Sequence, residues 1–258
     1  MLTATLGGLI KDYRLKKRLS QLEVSMHIGW SDTTRLSKIE QGRVAKPSIE
    51  VIEKIMDALD LTAIERGEFL LVGGYQPTEQ EIKSILKEHK ERISKWPYPA
   101  HLLDFSGRIL YMNDEEYKMA QATEDLKKAI SNRVHPLEWA FMDKPLWKTI
   151  IKKGDSVDNL KSYQLSKIIN FKIRQSGRES EKWYKQLIKK LSVNKVFRDI
   201  WSSTNVKGDT QKFYDYEFKE FVISPKKKIQ YHAFSTRIVN DVRFAIVFYV
   251  PAKAQIDL

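Results

Sequence analysis

Cysteine is absent from the 258-residue chain. Its absence excludes disulfides, a thiol nucleophile and cysteine-ligated zinc or iron–sulfur sites. No run approaches the roughly 18 consecutive apolar residues that a membrane-spanning helix needs, so we expect no membrane insertion. The N-terminus, MLTATLGGLIKDY, also lacks the basic segment and apolar core of a secretory signal. Together these absences favour a cytoplasmic protein.

Catalytic motifs are lacking as well. The five histidines form no H-E-x-x-H pattern, and the chain contains no G-x-x-x-x-G-K-S/T phosphate loop and no G-x-S-x-G elbow. His101 and His232 lie in predicted strands and are candidates for a metal or haem ligand, although a histidine on a sheet face more often forms hydrogen bonds to its neighbours. We therefore expect no catalytic residue, no metal site, no required cofactor and no enzymatic activity.

Positive charge is abundant and unevenly distributed. The length favours two domains, and the 42% apolar residues suffice for ordinary cores. Of the net charge of +12, residues 1–46 contribute nine Lys/Arg against four Asp/Glu, whereas residues 47–76 contribute two against six. The N-terminal region is therefore a dipole whose basic half suits nucleic acid. Residues 77–258 carry the rest, either as a second phosphate-contacting or anion-attracting surface or, more simply, as a lysine-rich solvated surface.

Residues 20–43, SQLEVSMHIGWSDTTRLSKIEQGR, predict two short helices joined by a tight turn. Ser20 and Glu23 form an S-x-x-E capping box at the start of the first of these helices. Gly29 ends that helix, because glycine adopts left-handed dihedrals without strain. Ser31 is expected to cap the next helix. Each helix is expected to bury one apolar side. That side comprises Leu22, Val24, Met26 and Ile28 in the first helix, and Leu36 and Ile39 in the second.

Three sequence blocks occur in a recognisable order, namely LSQLEVSMHIG, then S-x-x-x-x-LSKIEQGR, then PSIEVIEKIMDALDL. They resemble the Cro/Xre family of bacterial and phage repressors, with a turn before Leu36 that is one residue longer than usual. The resemblance implies an all-α, five-helix DNA-binding domain over residues 1–76, with double-stranded DNA as partner and a homodimer on paired half-sites. The alternative is that these helices only form part of a small helical bundle.

The outer face of the third helix is the predicted DNA-binding surface, because that helix enters the major groove in such domains. Four residues are expected to contact or approach bases, namely Thr33, Thr34, Arg35 and Lys38. Ser31 and Asp32 lie on the same face. Phosphate contacts are expected from four further residues, namely Gln21, Ser37, Arg43 and Lys46.

The apolar period changes from helix to strand at Ala100. A charged helix within residues 77–95 precedes this point as a connector. AHLLDFSGRILYMND then predicts strand, turn and strand, and a helical middle extends to about Trp201. Three strands close the chain in KFYDYEFKEFVIS, KIQYHAFSTRIV and VRFAIVFYVP. This is the element order of a PAS-type sensor fold, so the expected fold class of the whole chain is α+β with an antiparallel C-terminal sheet and a helical insert.

The expected second domain spans residues 96–258, and about residues 96–253 of it carry a second resemblance. The segments WPYPAHLLDFSGRILYMN, HPLEWAFMDKPLW and FRDIWS, with the closing strands, look like the MmyB-like ligand-binding domain. That resemblance implies a PAS-like core, which in some members holds a fatty acid. Aromatic rings here serve either as core, which is favoured for any single ring, or as a pocket lining formed by Trp139, Phe141, Trp147, Phe171, Phe197 and Trp201. A carboxylate at the pocket mouth would then be held by Arg174, Arg198 or Lys148.

The leading hypothesis is a sequence-specific transcriptional regulator controlled by a small apolar or fatty-acid-like ligand in the second domain. Ligand binding would shift the DNA-competent population through the connector. One alternative is an adaptor whose second domain docks a protein partner without any small ligand. Another is a peptide sensor built from helical repeats, which predicts a repeat of about 34 residues and a helical C-terminus.

Overall fold

The computed structural model describes residues 5–142, 157–205, 218–224 and 227–252 of the chain. The chain divides into two compact units. The first unit comprises Met1–Pro77 and Arg237–Phe244, and the second comprises Thr78–Thr236 and Ala245–Leu258.

The first unit contains the five helices that the sequence predicts. They are α1 (Leu6–Lys16), α2 (Gln21–Ile28), α3 (Thr34–Glu40), α4 (Ile49–Ala58) and α5 (Ala63–Val72). Their apolar faces meet in one core, in which Ile10, Leu36 and Ile52 are completely buried. Burial of such surface, at roughly 25 cal/mol per Å², is the main favourable term in the folding of a small helical unit.

Side-chain caps and one glycine delimit these helices, and the sequence predicts the Ser20 box and the glycine end at Gly29. The Ser20 hydroxyl accepts a hydrogen bond from the Glu23 amide at 3.1 Å, while the Glu23 carboxylate accepts one from the Ser20 amide at 2.6 Å. Thr62 and Glu65 form the same reciprocal pair at α5. In each box the backbone hydrogen bond from the cap residue lowers the pKa of the glutamate. Gly29, with a φ of 85°, ends α2 in the left-handed conformation.

The predicted buried side of α2 is wrong at two positions. Val24 and Ile28 are buried, whereas Leu22 and Met26 expose 52% and 63% of their surface. Residues four apart share a face of a helix, but residues two apart point in nearly opposite directions. The alternating apolar pattern of this segment therefore leaves half of its members in solvent.

The second unit combines helices with a sheet. Its helices are α6 (Glu79–Ser94), α7 (Asp114–Ala120), α8 (Glu124–Ser131), α9 (Pro136–Trp139), α10 (Val157–Arg174), α11 (Lys182–Leu191) and α12 (Lys195–Ser203). Its strands, the last of which begins inside the 237–244 segment, are β1 (Ala100–Asp104), β2 (Ile109–Met112), β3 (Phe218–Ser224), β4 (Lys227–Ile238) and β5 (Asp241–Pro251). Two strands, helices and three strands follow one another as the sequence predicts, which confirms the α+β class.

The five strands form one sheet in the order β2-β1-β5-β4-β3. β1 and β2 pair antiparallel, with His101 opposite Met112, and β3 and β4 pair antiparallel, with Phe218 opposite His232. The first strand of the chain, β1, therefore lies next to the last, β5. Helices α7 to α12 come between β2 and β3 in the sequence.

α6 occupies most of the segment that the sequence assigns to a connector over residues 77–95. A third capping box, formed by Thr78 and Glu81, starts this helix. Its side chains Ile82 and Ile93 are completely buried, and the helix packs against β1 and β2. α6 is consequently a packed helix of the second unit.

Asn113, immediately after β2, joins the end of α6 to the sheet. Its side-chain amide nitrogen donates to the carbonyl oxygens of Ile93, Trp96 and Tyr98, at 3.3, 3.2 and 2.7 Å. Its side-chain oxygen accepts from the Ala100 and Glu116 amides, each at 3.0 Å. One fully buried side chain thus contacts five backbone groups where the end of α6, the start of β1 and the start of α7 meet.

Candidate nucleic-acid interface

A buried ionic network lies directly behind α3. The Arg14 guanidinium donates to both carboxylate oxygens of Glu40, at 2.6 and 3.0 Å, and to the Leu19 carbonyl oxygen at 2.9 Å. The Gln21 amide nitrogen donates to the same carboxylate at 2.8 Å. The hydrogen bonds that Arg14 donates to Glu40 raise the pKa of Arg14 even though burial opposes the charge. The network ties α1, the start of α2 and the end of α3 together with directional contacts.

The close approach of α1 to α3 requires glycine at position 7. A Cβ built on Gly7 would lie 2.2 Å from the carbonyl oxygen of Ile39 and 2.8 Å from that of Glu40. Both are backbone atoms, which cannot move aside as a flexible side chain can. The position of α3 is therefore fixed by backbone contact as well as by the ionic network.

The start of α3 differs from the prediction. The Asp32 carboxylate accepts a hydrogen bond from the Thr34 amide at 2.7 Å, and α3 begins at Thr34. Ser31, the predicted cap, is exposed and makes no cap contact, and Thr33 makes no side-chain cap either. The hydrogen bond from the Thr34 backbone lowers the pKa of Asp32. Aspartate is as good a cap as serine, so the two positions could not be separated by residue type.

The outer face of α3 is open to solvent. Thr34, Arg35 and Lys38 are exposed, whereas Thr33 and Ser37 are half-buried. The Ser37 hydroxyl accepts a hydrogen bond from the Gln41 side chain at 2.9 Å. On the opposite side of the helix, Leu36 and Ile39 are 0% and 2% exposed. The face therefore presents one hydroxyl and two cations on a helix whose inner side is fully packed.

Arg35 lies over an aromatic ring. The central carbon of its guanidinium is 4.8 Å from the centre of the Trp30 ring. Among the described residues no hydrogen bond or ion pair engages this guanidinium. Its five N–H donors are consequently available to an outside acceptor.

The remaining predicted phosphate contacts have different surroundings. Arg43 is exposed just after α3, and its backbone amide donates to the Lys38 carbonyl oxygen at 2.9 Å. The Lys46 ammonium donates to the Gly74 carbonyl oxygen at 2.9 Å and lies 4.9 Å from the centre of the Tyr75 ring. The Gln21 side chain is bonded to Glu40, as described above. Arg43 and Lys46 are thus both exposed, and the Lys46 and Gln21 side chains also make contacts within the fold.

Comparison with known proteins matches this region to the helix-turn-helix domain family over residues 5–69. Over 74 residues the chain is 42% identical to the ImmF control region 10 kDa protein of Bacillus phage phi105. The alignment covers 27% of this chain and 80% of the phage protein. The chain belongs to the helix-turn-helix family. The helix-turn-helix part of the N-terminal resemblance is thereby confirmed. The protein is a DNA-binding transcriptional regulator.

The predicted ligand-binding rings of this helix-turn-helix protein lie in two separate clusters. Trp139 packs with Met112, Leu126 and other residues of the first. Phe141, Phe171 and Phe197 are buried in the second, with Trp201 at its margin. Within the second cluster the ring centres of Phe197 and Trp201 are 5.2 Å apart and those of Phe141 and Phe197 are 5.1 Å apart. In the part of the chain that the structure describes, these rings pack against one another, as core residues do. Trp147 and Lys148 lie outside the described residues.

Two of the three predicted cations of the pocket mouth, Arg174 and Arg198, lie in the described part of the chain. Arg174 is exposed, and the Arg198 guanidinium donates to the carbonyl oxygens of Ser192 and Val193, at 2.7 and 2.9 Å, after the end of α11. Sequence reasoning missed Lys172, whose ammonium donates to the carbonyl oxygens of Trp201 and Thr204 at 2.7 and 2.8 Å. Burial lowers the pKa of Lys172. Its position in a lysine-rich helix gives no signal for this role, because the two carbonyl groups lie some thirty residues away in sequence.

His101 is a hydrogen-bonded wall residue of the sheet. Its Nδ1 lies 2.9 Å from each carboxylate oxygen of Glu116, and both side chains are buried. His232 is half-buried on β4, beside the ring of Phe234. Across the described ranges no cluster of three or more metal-ligating side chains is found. The described helices also include none long and apolar enough to cross a membrane.

Proposed function

We propose that the protein regulates transcription by sequence-specific binding, with α3 in the major groove of double-stranded DNA. The observation that carries this proposal is the exposed outer face of α3, where the Arg35 guanidinium has no hydrogen bond or ion pair among the described residues, on a helix fixed from behind. A reading helix has to be held rigidly, because base contacts require side chains placed to within a fraction of an ångström.

The roles divide according to the chemistry of the side chains. Arg35 presents a planar fork that matches the O6 and N7 acceptors of guanine, so it is proposed to read a base. Thr34 and Lys38 approach neighbouring bases or sugar oxygens. Arg43 contacts a phosphate, which adds affinity without sequence information. Cations near the helix would each release counterions and make binding sensitive to salt.

The proposal is tested by selecting random duplexes that bind the purified full chain and sequencing them, which also defines the preferred site. Arg35→Ala should then weaken binding to that site by roughly 1–3 kcal/mol and relax preference at one base pair. Arg92→Ala, which removes an exposed arginine from α6, is the matched control and should leave binding unchanged. Unaltered site preference in Arg35→Ala would reject Arg35 as the base-reading residue.

A homodimer on DNA forms part of the proposal, since helix-turn-helix dimers bind half-sites one helical turn apart. The enriched sites should accordingly contain an inverted repeat, and sedimentation of the complex should give two chains per duplex. A single half-site bound by one chain would contradict the homodimer but not sequence-specific binding by α3.

Control by a small apolar or fatty-acid-like ligand in the second unit is also proposed. The element order of two strands, helices and three strands supports it. The mutual packing of these rings favours the alternative, a second unit that docks a protein partner and holds no small molecule. The β3–β5 strands weigh against the helical-repeat peptide sensor, which needs a helical C-terminus.

Native mass spectrometry of protein purified from its own cells separates these two functions of the second unit. A retained lipid of defined mass, whose removal changes operator affinity, supports the sensor. Protein of the bare chain mass, with operator affinity unaffected by added fatty acids, supports the adaptor. Neither function involves catalysis or a cofactor, in keeping with the absence of catalytic motifs from the sequence.

A further inference from the structure

Trp30 is held in place by the backbone of the turn between α2 and α3. Its amide donates to the Ser25 carbonyl oxygen at 2.8 Å, and the Gly29 amide donates to that of Met26 at 3.0 Å. With Gly29 in the left-handed conformation, these two bonds make a Schellman motif, which fixes the direction of the chain as it leaves a helix. The indole is half-buried against the helical core. The ring over which Arg35 lies is therefore part of the rigid turn.

Among the described residues no carboxylate pairs with Arg35. The nearest carboxylate in sequence, Asp32, accepts a hydrogen bond from the Thr34 amide. Glu40, one turn further along, is shared by Arg14 and Gln21. Within the described part of the chain, the aromatic face of Trp30 is consequently the contact that restrains the guanidinium in the protein without DNA.

A ring restrains arginine differently from a carboxylate. A carboxylate accepts hydrogen bonds and so uses the N–H donors that guanine would need. A ring attracts the cation through its quadrupole and leaves those donors unused. Arginine loses much side-chain freedom when it binds a base, and restraint before binding reduces that cost.

We propose that Trp30 is a specificity-determining positioning residue, whose ring holds the Arg35 guanidinium ready to donate to a base of the operator. This inference rests on the proposed base-reading role of Arg35. It assigns to the turn residue a function that the helix-turn-helix pattern alone does not give.

The experiment combines changes at Trp30 and Arg35 in the full chain. Trp30→Met keeps an apolar side chain without a π-face, and Trp30→Phe keeps a smaller π-face. Each is made with Arg35 present and with Arg35→Ala. Affinities are measured at one salt concentration for the preferred duplex, for duplexes with single base-pair changes, and for an unrelated duplex. Thermal unfolding of each variant identifies those that are folded at the temperature of the binding assay.

With Arg35 present, Trp30→Met should weaken binding to the preferred duplex about 2- to 5-fold, as expected for loss of an exposed cation–π contact. Discrimination should fall at the base pair that Arg35 reads, and affinity for the unrelated duplex should not change. Trp30→Phe should retain most of the affinity. With Arg35→Ala, neither change at Trp30 should alter binding to any duplex.

Three results would overturn the inference. One is an equal loss with and without Arg35, which would make Trp30 purely structural. Another is a gain of affinity in Trp30→Met, which would mean that the ring withholds Arg35 from DNA. The third is full retention of affinity and discrimination in Trp30→Met. Failure of the proposed function gives a distinct result, because Arg35→Ala itself would then leave the site preference intact.

Discussion

The first unit places buried charge behind its functional surface, whereas the second unit places aromatic rings between its helices. In the first unit Arg14 and Glu40 are paired out of solvent, and the contacts that hold α3 are directional. In the second, Phe171 and Phe197 contact other rings at their edges and faces, without hydrogen bonds. Directional contacts set the position of a helix, and rings fill volume with a large gain in apolar burial.

This difference separates the effects of mutation in the two units. A change behind α3 should alter both stability and DNA binding, since it moves the helix that reads DNA. A change in the ring cluster should reduce stability of the second unit and leave the binding surface as it is. The following four changes test this contrast.

Phe197→Ala is expected to have the largest effect on stability. The ring is completely buried, and truncation of such a ring costs about 3–5 kcal/mol through lost burial and the cavity left behind. Calorimetry should show a destabilised second unit, while duplex affinity below the transition stays unchanged. Val193→Ala, at a side chain that is 83% exposed, is the control. A parallel loss of duplex affinity in Phe197→Ala would remove the contrast between the units.

Glu40→Ala should destabilise the first unit by about 3 kcal/mol, because it leaves the Arg14 cation buried without its partner. The Leu19 carbonyl oxygen still accepts from Arg14, which keeps the cost at the lower end for a broken buried pair. Duplex affinity should fall as well, even at temperatures where the protein is folded. Glu53→Ala removes an exposed glutamate from α4 and should change neither quantity. Destabilisation without any change in binding would show that the network does not position α3.

Asp32→Ala and Ser31→Ala compare the observed cap of α3 with the predicted one. Loss of the Asp32 carboxylate leaves the Thr34 amide without its acceptor, so the thermal midpoint of the first unit should fall by a few degrees. Ser31→Ala should not change it, because Ser31 makes no cap contact. A lower thermal midpoint in Ser31→Ala than in Asp32→Ala would show that Ser31 caps α3, as the sequence predicts.

Tyr184→Phe should have the smallest effect, and only in alkali. Burial raises the pKa of Tyr184 to about 12 from an ordinary value of 10. Below pH 10 folded and unfolded chains both keep this proton, whereas between pH 10 and 12 the unfolded chain releases it first. The free energy of unfolding should therefore fall as pH rises through this range, and less steeply in Tyr184→Phe. Tyr98→Phe, at an exposed ring, is the control. Equal slopes in the wild type and Tyr184→Phe would contradict the burial effect.

Local features of this fold were predictable from sequence. The capping boxes at Ser20 and Thr62 and the glycine end at Gly29 each involve residues within a few positions of one another. The order of helices and strands follows from the period of apolar residues, which is also a local property. The error at Leu22 and Met26 arose where an alternating pattern was assigned to one face of a helix, whose period is 3.6.

Long-range contacts were not predictable in the same way. The pairing of Arg14 with Glu40 joins residues 26 positions apart, and nothing in the sequence distinguishes these two charges from exposed ones. For the same reason the contacts of Arg198 with carbonyl groups beside its own helix were not predicted. The exposure of Thr34, Arg35 and Lys38 on α3 was predicted correctly because it depends on helical periodicity and on the buried Leu36 and Ile39, whereas Thr33 and Ser37 are half-buried.

Asn113 shows how narrow the chemical tolerance of one position can be. Its nitrogen faces three carbonyl oxygens and its oxygen faces two amides, so the side chain needs a donor end and an acceptor end at this length. Aspartate has the same shape, yet it would set a negative oxygen against three electronegative atoms. Hydrolysis of this one amide, the ordinary ageing reaction of asparagine, would therefore convert attraction into repulsion at the junction of α6 with the sheet.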